Sequence, residues 1–322
     1  MPWTFLSKSG VEMSKKVIVT FLIILMIFSG CRKAEKSTNS GGSFSGTYTA
    51  GQSWDNIGVI TDTVVDLFRE ATIQSDKITQ VLYNQPVNII ETKESWSKVE
   101  TTDGLRGFIK TRYITKETSS LDQDNSEPKI IVTVRKASVL SQVANGSLIK
   151  DVVMGTEFSV INSVEDWYEV ALPNNKTGWV SENGTIYIEA GKMVAKTSAQ
   201  SFVDTALKFK GTVFLQGGTS AWGIDSVGLA YICSRINGVE LPRIIDKQYK
   251  MGKTIDTDKE KPMAGDLVFF SSDEQRKDIT SVGIFVNNNE FLIASKLNYS
   301  VAIHGFGEDY FKQRFIGTKR IF

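Results

Sequence analysis

The 322-residue chain holds one histidine, His304, and two cysteines, Cys31 and Cys233. Any imidazole base must therefore be His304, since histidine is the side chain whose ordinary pKa lies nearest neutrality. Cys233 lies within an apolar run, where a free cysteine usually packs as a small hydrophobe. Excess charge is also missing: 37 Lys and Arg face 36 Asp and Glu, a net charge of +1, with the basic residues scattered along the chain. That balance carries no nucleic-acid footprint. The N-terminal apolar run, Val17 to Phe28, stops at twelve residues, short of the roughly 20 that a membrane-spanning helix needs.

What is present at that end is a secretory pattern. With Met13 as the start, Ser14-Lys15-Lys16 supplies a positive flank, the apolar run follows, and Phe28-Ser29-Gly30-Cys31 closes it. The closing residues resemble the lipobox of bacterial lipoproteins, with Phe28 where Leu is usual. The resemblance implies that Cys31 is lipidated, becomes the mature N-terminus and anchors the chain to a membrane outside the cytoplasm. Residues 1–31 then form the signal peptide. Residues 32–52, rich in Ser, Thr, Gly, Asn and Lys, are expected from their composition to act as a flexible tether. An acylated Cys31 leaves Cys233 without a partner, so no intrachain disulfide is expected.

Two versions of one unit follow, each of roughly 60 residues. Val81 to Ile90, then Ser95-Trp96-Ser97-Lys98-Val99, then Gly104 to Ile109 mark the first. Gly155 to Ile161, then Asp166-Trp167-Tyr168-Glu169-Val170, then Gly178-Trp179-Val180 mark the second. Short β-branched and aromatic runs divided by Gly, Asn and Asp read as small antiparallel barrels. The W-x-x-V and G-W-V elements resemble bacterial SH3-like domains, which places one such domain at 53–117 and another at 129–190, with a linker at 118–128. Trp96 and Trp167 fit either ligand platforms or small-core packing.

The C-terminal part, 195–322, reads as α+β. A helix is expected from Ser198 to Phe209, with Phe202, Ala206 and Phe209 on one face. Then Gly217-Gly218 lead into Asp225-Ser226, with Ala230, Tyr231, Cys233 and Ile236 at helical spacing behind them. Ser226 therefore falls on the first turn of a helix, where free N–H groups and the helix dipole favour negative charge. A thiol there gains thiolate character, whereas a hydroxyl needs an adjacent base.

This loop and helix resemble the NlpC/p60 family of papain-like cell-wall cysteine peptidases, in which the loop reads roughly Y-x-W-G-G-T-S-x-x-G-F-D-C-S-G. Leu241-Pro242-Arg243, Pro262 to Phe270, Thr280 to Phe285 and Phe291 to Ser295 resemble its later motifs in order and spacing. The resemblance implies an α+β papain-like domain whose nucleophile, base and base-orienting positions are Ser226, Ser281 and Ile293. None of these retains the family's residue, and Phe214 and Gln216 stand where the family has Tyr and Trp. Losing such a set removes on the order of 10⁶ in rate. Asp225 remains, and fits either contact with the free amine of a stem peptide or capping of its own helix.

The expectation is therefore a lipid-anchored cell-envelope protein that binds peptidoglycan stem peptides, or a cell-wall protein, through a degenerate cleft including Asp225, Phe214 and Gln216. No metal and no cofactor is expected. The alternative is an active stem-peptide hydrolase using Ser226 with a relocated base. His304 is the candidate imidazole for that base, on a Ser300–His304 run expected to pair so that Ile293 lies roughly opposite Ala302.

Overall fold

The computed structural model describes residues 54–122 and 124–322. The signal pattern, Cys31 and the tether lie outside the described residues.

Two seven-stranded antiparallel sheets come first. The strands of the first lie in the order Lys77–Leu82, Val64–Phe68, Arg106–Lys110, Trp96–Thr101, Pro86–Lys93, Ile57–Ile60, Ile114–Thr115. The second repeats that order with Leu148–Val153, Lys136–Leu140, Lys176–Ser181, Trp167–Leu172, Glu157–Val164, Lys129–Val132 and Thr185–Ile188. Alternation drives both, because successive side chains of a strand point to opposite faces. Ile60, Val65, Leu67, Val81, Val87, Val99 and Ile109 turn inward to form the first core. Ile130, Val132, Val139, Val152, Phe158, Val170 and Val180 form the second. The long strand of each sheet carries a register shift after its fourth residue, at Ile89 and at Val160, which bends it over its core. Trp96 is buried, edge-on to Phe68 at 5.8 Å, and Trp167 is half-buried.

The expected SH3-like barrels are not found. Neither sheet closes, because the two end strands of each remain unpaired with one another. In the first sheet the last strand, Ile114–Thr115, offers only two ladder positions, and Ile60 and Val59 use both. The other ends are covered by neighbouring parts of the chain. The Gln80 carbonyl, on the free strand of the first sheet, accepts from Thr219 Oγ1 at 3.4 Å, and its side-chain Oε1 accepts from the Thr219 N–H at 3.1 Å. The Asp151 carbonyl, on the free strand of the second, accepts from Thr63 Oγ1 at 2.6 Å. Edge groups satisfied in this way gain nothing from closure.

The α+β region has four helices among the described residues: α1 (Ala199–Leu207), α2 (Ser226–Ile236), α3 (Ile245–Tyr249) and α4 (Asp309–Arg314). Ser198 caps α1 by accepting from the Ser201 N–H. Phe202, Ala206 and Phe209 are fully buried, as their spacing predicts. The sheet has the order Lys253–Ile255, Phe315–Arg320, Leu267–Phe270, Ser281–Phe285, Glu290–Ser295, Ser300–Gly305. Its strand Leu267–Phe270 is apolar throughout because both faces are covered. Leu267 and Phe269 join the core around α1 and α2, while Val268 and Phe270 join Phe285, Phe291, Ile293 and Phe311 beneath α4. Ile131 and Ile188 of the second sheet, with Met154 in the turn after its strand Leu148–Val153, pack into the same core as α2. The Arg235–Glu157 ion pair, 2.5 Å, lies on that seam.

Candidate functional site

α2 begins where the sequence pattern places it, with Ser226 as its first residue and Asp225 as its cap. The loop before it is held from both sides. Gly217 has φ +75°, and a Cβ there would come within 2.7 Å of the Lys77 carbonyl oxygen, so the close approach to the first sheet requires glycine. Gln80 receives the Thr219 N–H and the Ser220 hydroxyl at 3.1 and 3.2 Å, while its amide donates to Asp66 at 3.0 Å. Behind α2, Gln248 of α3 donates to the Val227 and Pro242 carbonyls at 3.2 and 2.8 Å.

Asp225 is buried and both of its oxygens are engaged. Oδ1 accepts from the Gly228 N–H at 2.7 Å, which is the helix cap. Oδ2 accepts from the Gly217 N–H at 2.8 Å and from Arg243 Nη2 at 2.7 Å. The two charged side chains are 7% and 5% exposed, so this ion pair is shielded from solvent.

A cleft of about 250 Å³ opens over the N-terminus of α2. Ser226 and Ser281 line it together, with Asp225, Phe214 and Gln216 beside them. Ser226 Oγ accepts from the Val282 N–H at 3.3 Å, which seats α2 against the start of the Ser281–Phe285 strand. Four more hydroxyls, those of Ser271, Ser272, Thr280 and Ser295, complete a wall that holds neither His nor Cys, and Lys296 and Tyr310 stand at the same cleft.

Three sequence candidates lie elsewhere. Ile293 pairs with Ala302 as the register predicts, but it is 1% exposed, packed within the phenylalanine cluster, and does not line the cleft. His304 is on the same hairpin, opposite Phe291, and does not line the cleft. Its Nδ1 faces Glu308 at 3.2 Å, and its ring lies 4.9 Å from that of Phe311. Cys233 is fully buried in α2, and burial drives its thiol far above the ordinary range. Among the described residues no group of three His, Cys, Asp or Glu side chains could hold a metal ion.

Sequence reasoning missed Lys296 and Tyr310, which carry no signal of their own in a polar turn and a short helix. It also missed the ion-pair role of Arg243, although Leu241-Pro242-Arg243 stood out as a motif.

Comparison with known proteins follows the same outline. Residues 211–320 match the NlpC/P60 family, and residues 63–115 match the bacterial SH3 domain. A gamma-D-glutamyl-L-lysine dipeptidyl-peptidase of Bacillus cereus is 24% identical over 332 residues, 95% of this chain and 99% of the relative. The Bacillus subtilis protein of the same name is 24% identical over 276 residues, 83% and 85% of the two chains. In fold, a crystal structure of an NlpC/P60 family protein from Bacillus cereus superposes with a TM-score of 0.74 at 19% identity. It covers 82% of this chain and 99% of that one.

Proposed function

We propose that this chain, which carries an NlpC/P60-family domain next to a bacterial SH3-like domain, is a peptidoglycan-binding protein of the cell envelope that has given up cleavage. The observation that carries this reading is the composition of the cleft. Its helix-start position is Ser226, the neighbouring strand presents Ser281, and its wall holds neither a thiol nor an imidazole. A serine without a base is a poor nucleophile, while a concave wall of hydroxyls flanked by Phe214 and Tyr310 retains the shape and hydrogen-bonding capacity for a peptide. Binding needs no base.

The similarity to dipeptidyl-peptidases named for a gamma-D-glutamyl-L-lysine linkage supports stem peptides as the ligand class. Lipid attachment at Cys31, with residues 32–52 as tether, belongs to the same reading, and would hold the cleft close to a membrane surface beneath the cell wall.

The test is to incubate the full chain with defined stem peptides, following binding by calorimetry and cleavage by mass spectrometry in the same samples. Binding without cleavage is expected. Cleavage that disappears in Ser226→Ala overturns the reading, and absence of both binding and cleavage points to a protein partner instead.

A further inference from the structure

The charges and free donors around the cleft specify more than a peptide in general. Two of its lining residues carry charge, Asp225 and Lys296. Asp225 is compensated: Arg243 and two backbone N–H groups take up its carboxylate. Lys296 is not, since no carboxylate among the described residues pairs with it and it stands exposed at the cleft.

The first turn of α2 adds donors. The Gly228 N–H is spent on Asp225 Oδ1 and the Leu229 N–H on the Asp225 carbonyl. The N–H groups of Ser226 and Val227, the two residues that line the cleft, have no acceptor among the described residues. Ser226 is 4% exposed; its oxygen accepts from Val282, and its hydroxyl hydrogen has no acceptor. Ser295 Oγ, on the opposite wall, is buried with no hydrogen-bond partner at all. Asp225 caps this end through the Gly228 N–H alone, so the neutral Ser226 leaves the first two N–H groups of the turn without an anionic partner.

We propose that the cleft is a carboxylate clamp: it holds the free carboxylate that amide hydrolysis leaves on the acyl side of a stem peptide, in preference to the intact amide. The proposal rests on the stem-peptide reading above and goes beyond it in naming which state of the peptide is bound. A carboxylate is acceptor-only, and it meets two backbone N–H groups, a hydroxyl hydrogen and an ammonium. An amide at the same place offers one neutral acceptor and brings N–H donors to a wall that already has donors to spare. The ligand is therefore the product of a peptide-bond hydrolysis performed by another enzyme, and the protein acts after that cut.

The experiment is calorimetry on the full chain with three probes: L-alanyl-D-glutamic acid, its γ-carboxamide L-alanyl-D-glutamine, and the intact tripeptide L-alanyl-γ-D-glutamyl-L-lysine. All three keep the same α-carboxylate, so only the γ-group differs. The acid is expected to bind roughly tenfold or more tighter than the carboxamide and the tripeptide, the gain of a charge-assisted hydrogen bond over a neutral one. That ratio should shrink with added salt and fall to about threefold or less in Lys296→Gln. Equal or tighter binding of the carboxamide or the tripeptide overturns the clamp while leaving stem-peptide binding intact. A ratio unchanged in Lys296→Gln also overturns it. Binding of none of the three removes the stem-peptide reading, and the clamp with it.

Discussion

Removing the charge of Asp225 should loosen the start of α2 even with no ligand present. In Asp225→Asn the amide oxygen can still accept from the Gly228 N–H, so most of the cap, worth about 1 kcal/mol, survives. What is lost is the partner of Arg243, whose guanidinium is 5% exposed and only 2.7 Å from the carboxylate. Breaking a buried pair from one side costs about 3–5 kcal/mol, because the remaining charge stays buried without compensation. Arg243→Met should cost somewhat less, since Asp225 keeps two backbone donors. The double variant should cost about 3 kcal/mol less than the sum of the singles, a coupling at the upper end for contacting residues. Cys233 supplies the assay: it is fully buried in the same helix, so its thiol reacts only when α2 opens. In the regime where reclosing outpaces labelling, 3 kcal/mol corresponds to a labelling rate raised by roughly a hundredfold. Mass spectrometry of the peptide containing Cys233 separates it from Cys31. Single-variant effects that add to within about 0.5 kcal/mol would refute the reasoning and leave Asp225 free to serve a ligand.

Two further outcomes follow from burial. Burial pushes the hydroxyls of Tyr83 and Tyr231 up to about 12. An unfolded tyrosine ionises near 10, so between pH 10 and 12 the unfolded state sheds protons that the folded state keeps, and stability falls as pH rises. The loss should reach about 2–3 kcal/mol per ring at the top of that window, and Tyr83→Phe or Tyr231→Phe should flatten the alkaline limb of a chemical-denaturation series. Placing His at the family's orienting position should not rebuild a peptidase. In the Ser226→Cys, Ser281→His, Ile293→His triple variant the third imidazole replaces a side chain that is 1% exposed within the phenylalanine cluster, at a cost of about 1–3 kcal/mol for burying a polar group there. Its midpoint should fall below that of Ser226→Cys, Ser281→His, and an equal midpoint with restored stem-peptide cleavage would show that the side chain reaches the cleft.

Legibility followed the range of the interactions. The start of α2 at Ser226, the buried face of Phe202, Ala206 and Phe209, and the pairing of Ile293 with Ala302 are written in periods of a few residues, and the sequence suffices for them. The openness of the two sheets is not written there. It depends on Thr219 meeting Gln80, 139 positions away, and Thr63 meeting Asp151, 88 away. The W-x-x-V and G-W-V motifs describe strands but not what covers their edges. The cleft was half legible for the same reason. Loop motifs marked Ser226 and Ser281, while the burial of Ile293 among phenylalanines, and which lysine met the opening, required three dimensions.

The dependence of the Gly217–Ser220 loop on Gln80 and Lys77 also bears on the order in which the chain is made. Domains fold largely as units during synthesis, N-terminal first. The strand that supports the loop therefore precedes it by more than a hundred residues in the order of synthesis, and the cleft is complete only once the loop meets that strand. A lesion in the first sheet, far along the chain from Ser226, would thus be felt as a failure of the last assembly step rather than as a local defect.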